Sequence, residues 1–212
     1  MNKIKYLFAA LLIVLISCGG DDPVVENQTP TPEAPNTENP TNPEDSIPED
    51  TDSITGKTLI VYFSWSGHTR TVANFIQELT GSDMVEIEVV EPYSSVYNEV
   101  TARARQELDN DIRPALRTHV ENMDEYDTLI VGTPIWSSRL APPVKSFLAS
   151  YDLSGKKILP FCTHGGSGTA QSVNNMREVC PDSEFLQPFA VLGTQAANSR
   201  DGVERWLRAA GI

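Results

Sequence analysis

Short, uninterrupted apolar runs alternate with longer stretches of helical periodicity over residues 57–212. Leu59-Ile60-Val61-Tyr62-Phe63 is rich in β-branched and aromatic residues, is too short for a buried helix and ends in small polar residues, so it predicts a buried parallel strand. Tyr126–Gly132 and Lys157–Thr163 read the same way. Within Thr71–Thr80, Val72, Phe75, Ile76 and Leu79 recur at helical spacing, and Gly81 supplies a stop. Met84–Val90 alternates apolar and acidic residues, the mark of a half-exposed strand at a sheet edge. Tyr93–Leu116 is polar and helical in character to about Asp111, then breaks at Arg113-Pro114. Further helices are predicted over Val144–Tyr151, with Pro143 suited to the first turn, and over Thr169–Val179. Phe185–Gly193 gives a last strand, in which Pro188 argues for an edge position or a break. Asp201 is expected to cap a final helix through Ala210, with Val203, Trp206 and Leu207 on one face.

Five strands interleaved with helices define an α/β protein with a doubly wound, five-stranded parallel sheet. Right-handed crossovers predict the order 2-1-3-4-5, with a ligand beyond the carboxyl ends of strands 1, 3 and 4. Three segments of unusual composition follow those strands. After the first come Ser64-Trp65-Ser66-Gly67-His68-Thr69, a hydroxyl-rich turn at a helix start. Such a turn aims unpaired N–H groups and the positive end of the helix dipole at one point, which suits a phosphate. The same residues also suit a plain N-cap. There is no lysine in the turn, and its spacing fits neither a nucleotide-triphosphate loop nor a dinucleotide fingerprint, so a single phosphomonoester is the expected occupant. After the second comes a loop containing Thr133, Pro134, Ile135, Trp136 and Ser137, whose indole offers a stacking plane beside backbone amides. After the third, Thr163, come His164, Gly165, Gly166, Ser167 and Gly168, where glycines allow close backbone approach.

Ser64–Thr69 matches the form Ser/Thr-x-Thr/Ser-Gly-x-Thr and resembles the first loop of the flavodoxin family, which holds the FMN phosphate. Leu59–Arg70, Gly132-Thr-Pro-Ile-Trp136 with Ala141-Pro142-Pro143, and Phe161–Gly168 are similar to short bacterial flavodoxin-like proteins, a resemblance that extends over residues 56–212 and includes Tyr97 and the Arg113-Pro114 corner. It implies a flavodoxin-like fold with FMN as cofactor: Ser64–Thr69 at the phosphate, and Pro134–Ser137 with His164–Ser167 flanking the isoalloxazine. No side chain is assigned a catalytic or metal-binding role. Two positions depart from the family pattern. His68 stands in place of asparagine or glutamine, and a protonated imidazole there would add a pH-dependent pull on phosphate. Ser137 stands where many flavodoxins carry the glycine whose peptide turns toward the reduced ring. Positive φ is cheap only for glycine, so serine implies more two-electron chemistry here.

The formal charge of −13 is unevenly spread. Residues 1–18 carry two lysines and no acid, residues 19–55 ten acids and no base, and residues 56–212 19 acids against 14 bases. No basic block suggests nucleic-acid binding. Lys3 and Lys5 precede an apolar run, Tyr6–Ile16, too short for a spanning helix, and Leu15-Ile16-Ser17-Cys18 resembles the bacterial lipoprotein cleavage box. That resemblance implies removal of residues 1–17, a lipidated Cys18 and a membrane anchor in the bacterial cell envelope, periplasmic or surface facing. Residues 18–55, with seven prolines and ten acids, predict a disordered tether, leaving residues 56–212 as the folded domain. Cys162 and Cys180 are expected near opposite ends of the sheet, because a helix of about eleven residues returns ~16 Å between them. Both are therefore predicted to be free, buried thiols.

Two functions compete. One is an anchored FMN protein passing electrons outside the cytoplasm, to a redox partner protein or a small quinone-like acceptor, either as a carrier or as a reductase. The other is a flavin-free flavodoxin-like binding module for a protein partner. A serine hydrolase using Ser66 is disfavoured by the lack of a Gly-x-Ser-x-Gly elbow and of a well-placed acid. His164 suits either a proton donor beside the ring or a loop histidine satisfied locally, and Arg139 suits attraction of an anionic substrate or nicotinamide phosphate, though a lone exposed arginine is expected to be simply solvated.

Overall fold

Residues 56–212 are described by a computed structural model; Cys18 and the acidic segment expected to act as a tether lie outside the described residues. Strand β1 (Lys57–Tyr62) is followed by α1 (His68–Thr80), β2 (Asp83–Glu86), α2 (Tyr97–Asp109) and β3 (Tyr126–Trp136). Next come β4 (Arg139–Leu140), α3 (Pro142–Leu148), β5 (Lys157–His164) and α4 (Ser172–Val179). The chain ends with β6 (Glu184–Phe185), β7 (Phe189–Leu192) and α5 (Arg200–Ala209). Among the described residues no helix is long and apolar enough to cross a membrane.

The strand order β2-β1-β3-β5-β6, parallel throughout, is the doubly wound arrangement expected, once the small β4 hairpin is set aside. Pro188 does break the last strand: β6 and β7 pair separately with β5, through Ile158↔Phe185 and Phe161↔Phe189. The alternation of side chains along buried strands divides the core into two layers. Leu59, Val61, Leu129 and Val131 pack with Val144, Phe147 and Met176 on one face. Ile60, Tyr62, Ile130 and Phe161 pack with Val72, Ile76, Val203 and Leu207 on the other. Gly132 is demanded by this packing, because a Cβ there would lie 2.2 Å from the Phe161 ring.

Three expectations are corrected. Thr133–Trp136 is not loop but the end of β3, because Ile135↔Leu140 and Trp136↔Arg139 pair in a two-residue hairpin while Thr133 and Pro134 still run beside β5. The final helix starts at Arg200 after Ser199, so Asp201 lies within its first turn, where its charge suits the dipole, rather than capping it. The polar segment after β2 becomes helical only at Tyr97, leaving Tyr93 free to pack against the core as an aromatic partner of Phe63 and Trp136.

Candidate functional site

The carboxyl ends of β1, β3 and β5 surround one cleft of about 480 Å³. Its lining draws on all three segments singled out in the sequence: Trp65, Ser66 and His68 from the first, Pro134–Ser137 from the second, and Thr163, His164 and Gly165 from the third. The convergence follows from topology, since parallel strands leave all their carboxyl-terminal turns on the same rim.

At the phosphate-like corner, Gly67 precedes α1 with φ 87°, a left-handed conformation that favours glycine. The first N–H in this turn to reach a main-chain acceptor is that of Thr71, which donates to the Gly67 carbonyl at 3.0 Å. The N–H groups just before it have no intrahelical acceptor, as at any helix start. The Ser64 hydroxyl is buried without a hydrogen-bond partner, an arrangement that costs about 1–3 kcal/mol unless something supplies one. Ser64 precedes the lining residues Trp65 and Ser66 in the same turn, so a phosphate at this helix start would lie near its unpartnered hydroxyl in the chain. The Thr69 hydroxyl is engaged elsewhere, since Thr69 is buried and its Oγ1 lies 2.8 Å from Thr163 Oγ1, so the two threonines tie α1 to β5, while the Thr69 N–H stays among the helix-start amides.

Trp136 stands half-buried at the tip of β3, edge-on to Phe63 at 5.5 Å and to Tyr93 at 5.0 Å between ring centroids. The Tyr93 hydroxyl donates to Glu107 at 2.5 Å, and burial together with that carboxylate pushes its pKa well above the usual tyrosine range. Glu107 also accepts from Arg103 Nε at 2.8 Å, so the aromatic cluster is bolted to α2. The hairpin beyond Trp136 has φ 47° at Ser137 and φ 61° at Ser138, the pattern of a type I′ turn. This overturns the premise drawn from Ser137: the left-handed region thought to be reserved for glycine is already occupied by serine. The short hairpin imposes it, and Thr133 Oγ1 accepting from the Ala141 N–H and Ser138 O accepting from the Gln171 N–H brace the turn.

His164 Nδ1 accepts from the Gly166 N–H at 2.9 Å, which places the proton of the neutral ring on Nε2. The histidine is thus both locally satisfied and left with one donor on the cleft. Gly166, Ser167 and Gly168 form the outer turn and do not line the cleft; nor does Thr133, whose hydroxyl is used internally. The His68 ring packs toward Gly193, where an added Cβ would come within 2.9 Å of it. Cys162 and Cys180 are free and buried, and burial pushes each thiol up to about 11. Arg139 is not a solvated cation: it donates to Leu108 O at 3.0 Å and pairs with Asp109 at 2.6 Å, pinning α2 to the hairpin.

Two parts of the lining were missed from the sequence. One is a face of α2, comprising Tyr97, Val100, Thr101, Ala104 and Arg105. The spacing i, i+3, i+4, i+7, i+8 was there to be read, but the segment's polarity masked it. The other is Leu192-Gly193-Thr194, which the parallel direction of the last strand places on the same rim.

A family model described as Flavodoxin matches residues 57–210. A candidate flavoprotein from Bacteroides eggerthii DSM 20697, known by crystal structure, is 26% identical with a TM-score of 0.66, covering 74% of this chain and 99% of that one. Another, from Bacteroides uniformis ATCC 8492, is 28% identical with a TM-score of 0.65, covering 72% and 98%. A flavoprotein of Lactobacillus acidophilus NCFM, solved in complex with FMN, shares the fold at 24% identity and a TM-score of 0.57, covering 72% and 99%. An NAD(P)H dehydrogenase (quinone) of Acidovorax ebreus (strain TPSY) is 32% identical over 124 residues, 53% of this chain and 60% of that protein. The match therefore spans less than two thirds of that relative's length.

Proposed function

Because this chain belongs to the flavodoxin family, we propose that it binds FMN and passes electrons to quinones or similar acceptors outside the cytoplasm, held to the membrane through Cys18. The observation that carries the cofactor assignment is the meeting of three separate turns at one cleft; the unpartnered Ser64 hydroxyl lies one residue before the part of the first turn that lines it. Support for quinones as acceptors comes from the relative named NAD(P)H dehydrogenase (quinone).

Each residue's part follows from its surroundings. Ser64, Ser66 and the N–H groups at the start of α1 would hold the phosphate, the helix dipole adding to their pull. Trp136, locked by Phe63 and Tyr93, offers a fixed aromatic surface whose order is set before any ligand arrives. His164 Nε2 can donate a hydrogen bond at the cleft without changing tautomer, since Nδ1 is already engaged. FMN, when bound, supplies both one- and two-electron transfer. The positive φ at Ser137 removes the reason for expecting a two-electron bias, so carrier and reductase must be separated by turnover.

The test is an absorption spectrum of the purified protein with and without added FMN, followed by steady-state assays with NADH or NADPH and a quinone. A flavin spectrum with quinone turnover supports a reductase; a flavin spectrum without turnover supports a carrier. A folded protein that stays colourless sinks the FMN reading and leaves the flavin-free binding module. Mass spectrometry of the membrane fraction tests the anchor: a mature chain starting at an acylated Cys18 is expected, and a water-soluble mature chain would refute it.

A further inference from the structure

The face of α2 on the cleft is chemically different from the three turns. Tyr97 is 69% exposed, an unusual state for a large aromatic ring, and stands at the rim 6.4 Å from the Trp65 ring. Val100 and Ala104 form a small apolar floor next to it, and Arg105 closes the row two helical turns on. In a chain with a formal charge of −13, the cleft is lined by no carboxylate, and its ionisable side chains with nitrogen are Arg105, His68 and His164.

Nearby arginines are already occupied. Arg103 is held by Glu107 and by the carbonyls of Glu91 and Pro92; Arg139 is held by Asp109 and the Leu108 carbonyl. Arg105 makes no hydrogen bond or ion pair among the described residues. The helix that carries it is fixed at its last residue by Arg139–Asp109, and the turn that follows it by Lys145–Asp111, so this guanidinium is presented from an anchored helix.

Resting on the proposed function, we infer that α2 builds an acceptor subsite selective for planar aromatic acceptors that bear a carboxylate or sulfonate. Tyr97 covers the ring and Arg105 pairs with the anion, a geometry to which guanidinium is better suited than ammonium. For a quinone held there, FMN, where bound and reduced, would supply the two electrons of reduction to the hydroquinone, and water the two protons. Arg105 supplies selectivity and is not itself oxidised, reduced or deprotonated.

The test uses calorimetric binding of naphthalene-2-sulfonate and of neutral 2-naphthol to the protein, with and without bound FMN. The sulfonate is expected to bind at least about tenfold more tightly, the value of one charge-assisted contact. Arg105→Gln should abolish that preference, Arg105→Lys should restore part of it, and Tyr97→Ala should weaken both ligands alike. FMN affinity should fall less in Arg105→Gln than sulfonate affinity does. The inference is overturned if the wild-type protein does not discriminate, if Arg105→Gln weakens both ligands equally, or if it weakens FMN as much as the sulfonate. Failure of FMN to bind would strike the proposed function instead, because discrimination between the two naphthalenes can be measured on the flavin-free protein.

Discussion

The two ends of the parallel sheet treat polar groups in opposite ways. At the amino end, Lys57 Nζ pairs with Glu125 at 3.1 Å and Asp83 at 3.3 Å, the Tyr126 hydroxyl donates to Asp83, and Lys156 Nζ donates to the Tyr126 carbonyl. At the carboxyl end, the Ser64 hydroxyl has no partner, Gly67, Ser137 and Ser138 sit at positive φ, and Arg105 is unpaired. At the amino end the charged side chains pair with one another, although the Thr128 hydroxyl is buried there without a partner. The carboxyl end carries strain and unmet hydrogen bonds that a ligand can relieve, which is how a binding site differs from a surface that merely closes a fold.

The largest effect that would sharpen this contrast is at Ser64. Ser64→Ala should lower FMN affinity about tenfold to a hundredfold, since a hydrogen bond to a charged group is lost. The flavin-free protein should be unharmed or more stable by up to about 1 kcal/mol, because the hydroxyl has no partner to lose. Flavin titration and chemical denaturation read the two effects, and equal losses in both would erase the distinction between the ends.

The core between the two ends gives the next effect. Cys162 is an acid whose folded pKa is raised, so its contribution to stability is complete below its ordinary value near 9 and is lost as pH climbs toward about 11. The loss should be on the order of 2 kcal/mol and should shrink in Cys162→Ala, as followed by denaturation midpoints from pH 8 to 11. Cys180, raised in the same direction, leaves a residual slope. A flat profile in the wild-type protein would contradict the burial of both thiols.

Smaller still is the hairpin. Ser137→Gly should stabilise the protein by about 1 kcal/mol by removing the Cβ penalty at φ 47°, seen as a raised melting temperature. Destabilisation would mean that the turn is not left-handed in solution. The smallest effect belongs to the amino end: Lys57→Met should cost little, its cost should vanish at high salt, and FMN affinity should not change. A change in FMN affinity there would break the separation of the two ends.

The buried strands β1, β3 and β5 were legible because a strand covered on both faces must be apolar along its length, and Ser64–His68 was legible because helix starts need small polar residues. Trp136 was found but assigned to a loop, since a Ser137-Ser138 turn carries none of the usual Asn-Gly hairpin signal. The hydroxyls of Thr69 and Thr163 hydrogen-bond each other across 94 residues while Thr163 still lines the cleft, a pairing that no local pattern encodes.

By itself, the sequence determined the alternation of strand and helix, and hence a rim where the three turns had to meet. Periodicity and turn chemistry are local, and chirality then leaves one winding. Only the tertiary structure decided which hydroxyl stays unpaired, which threonines are consumed, and which face of the polar helix α2 borders the cleft. Those depend on contacts between residues far apart in the chain, where packing chooses among side chains that look alike in one dimension.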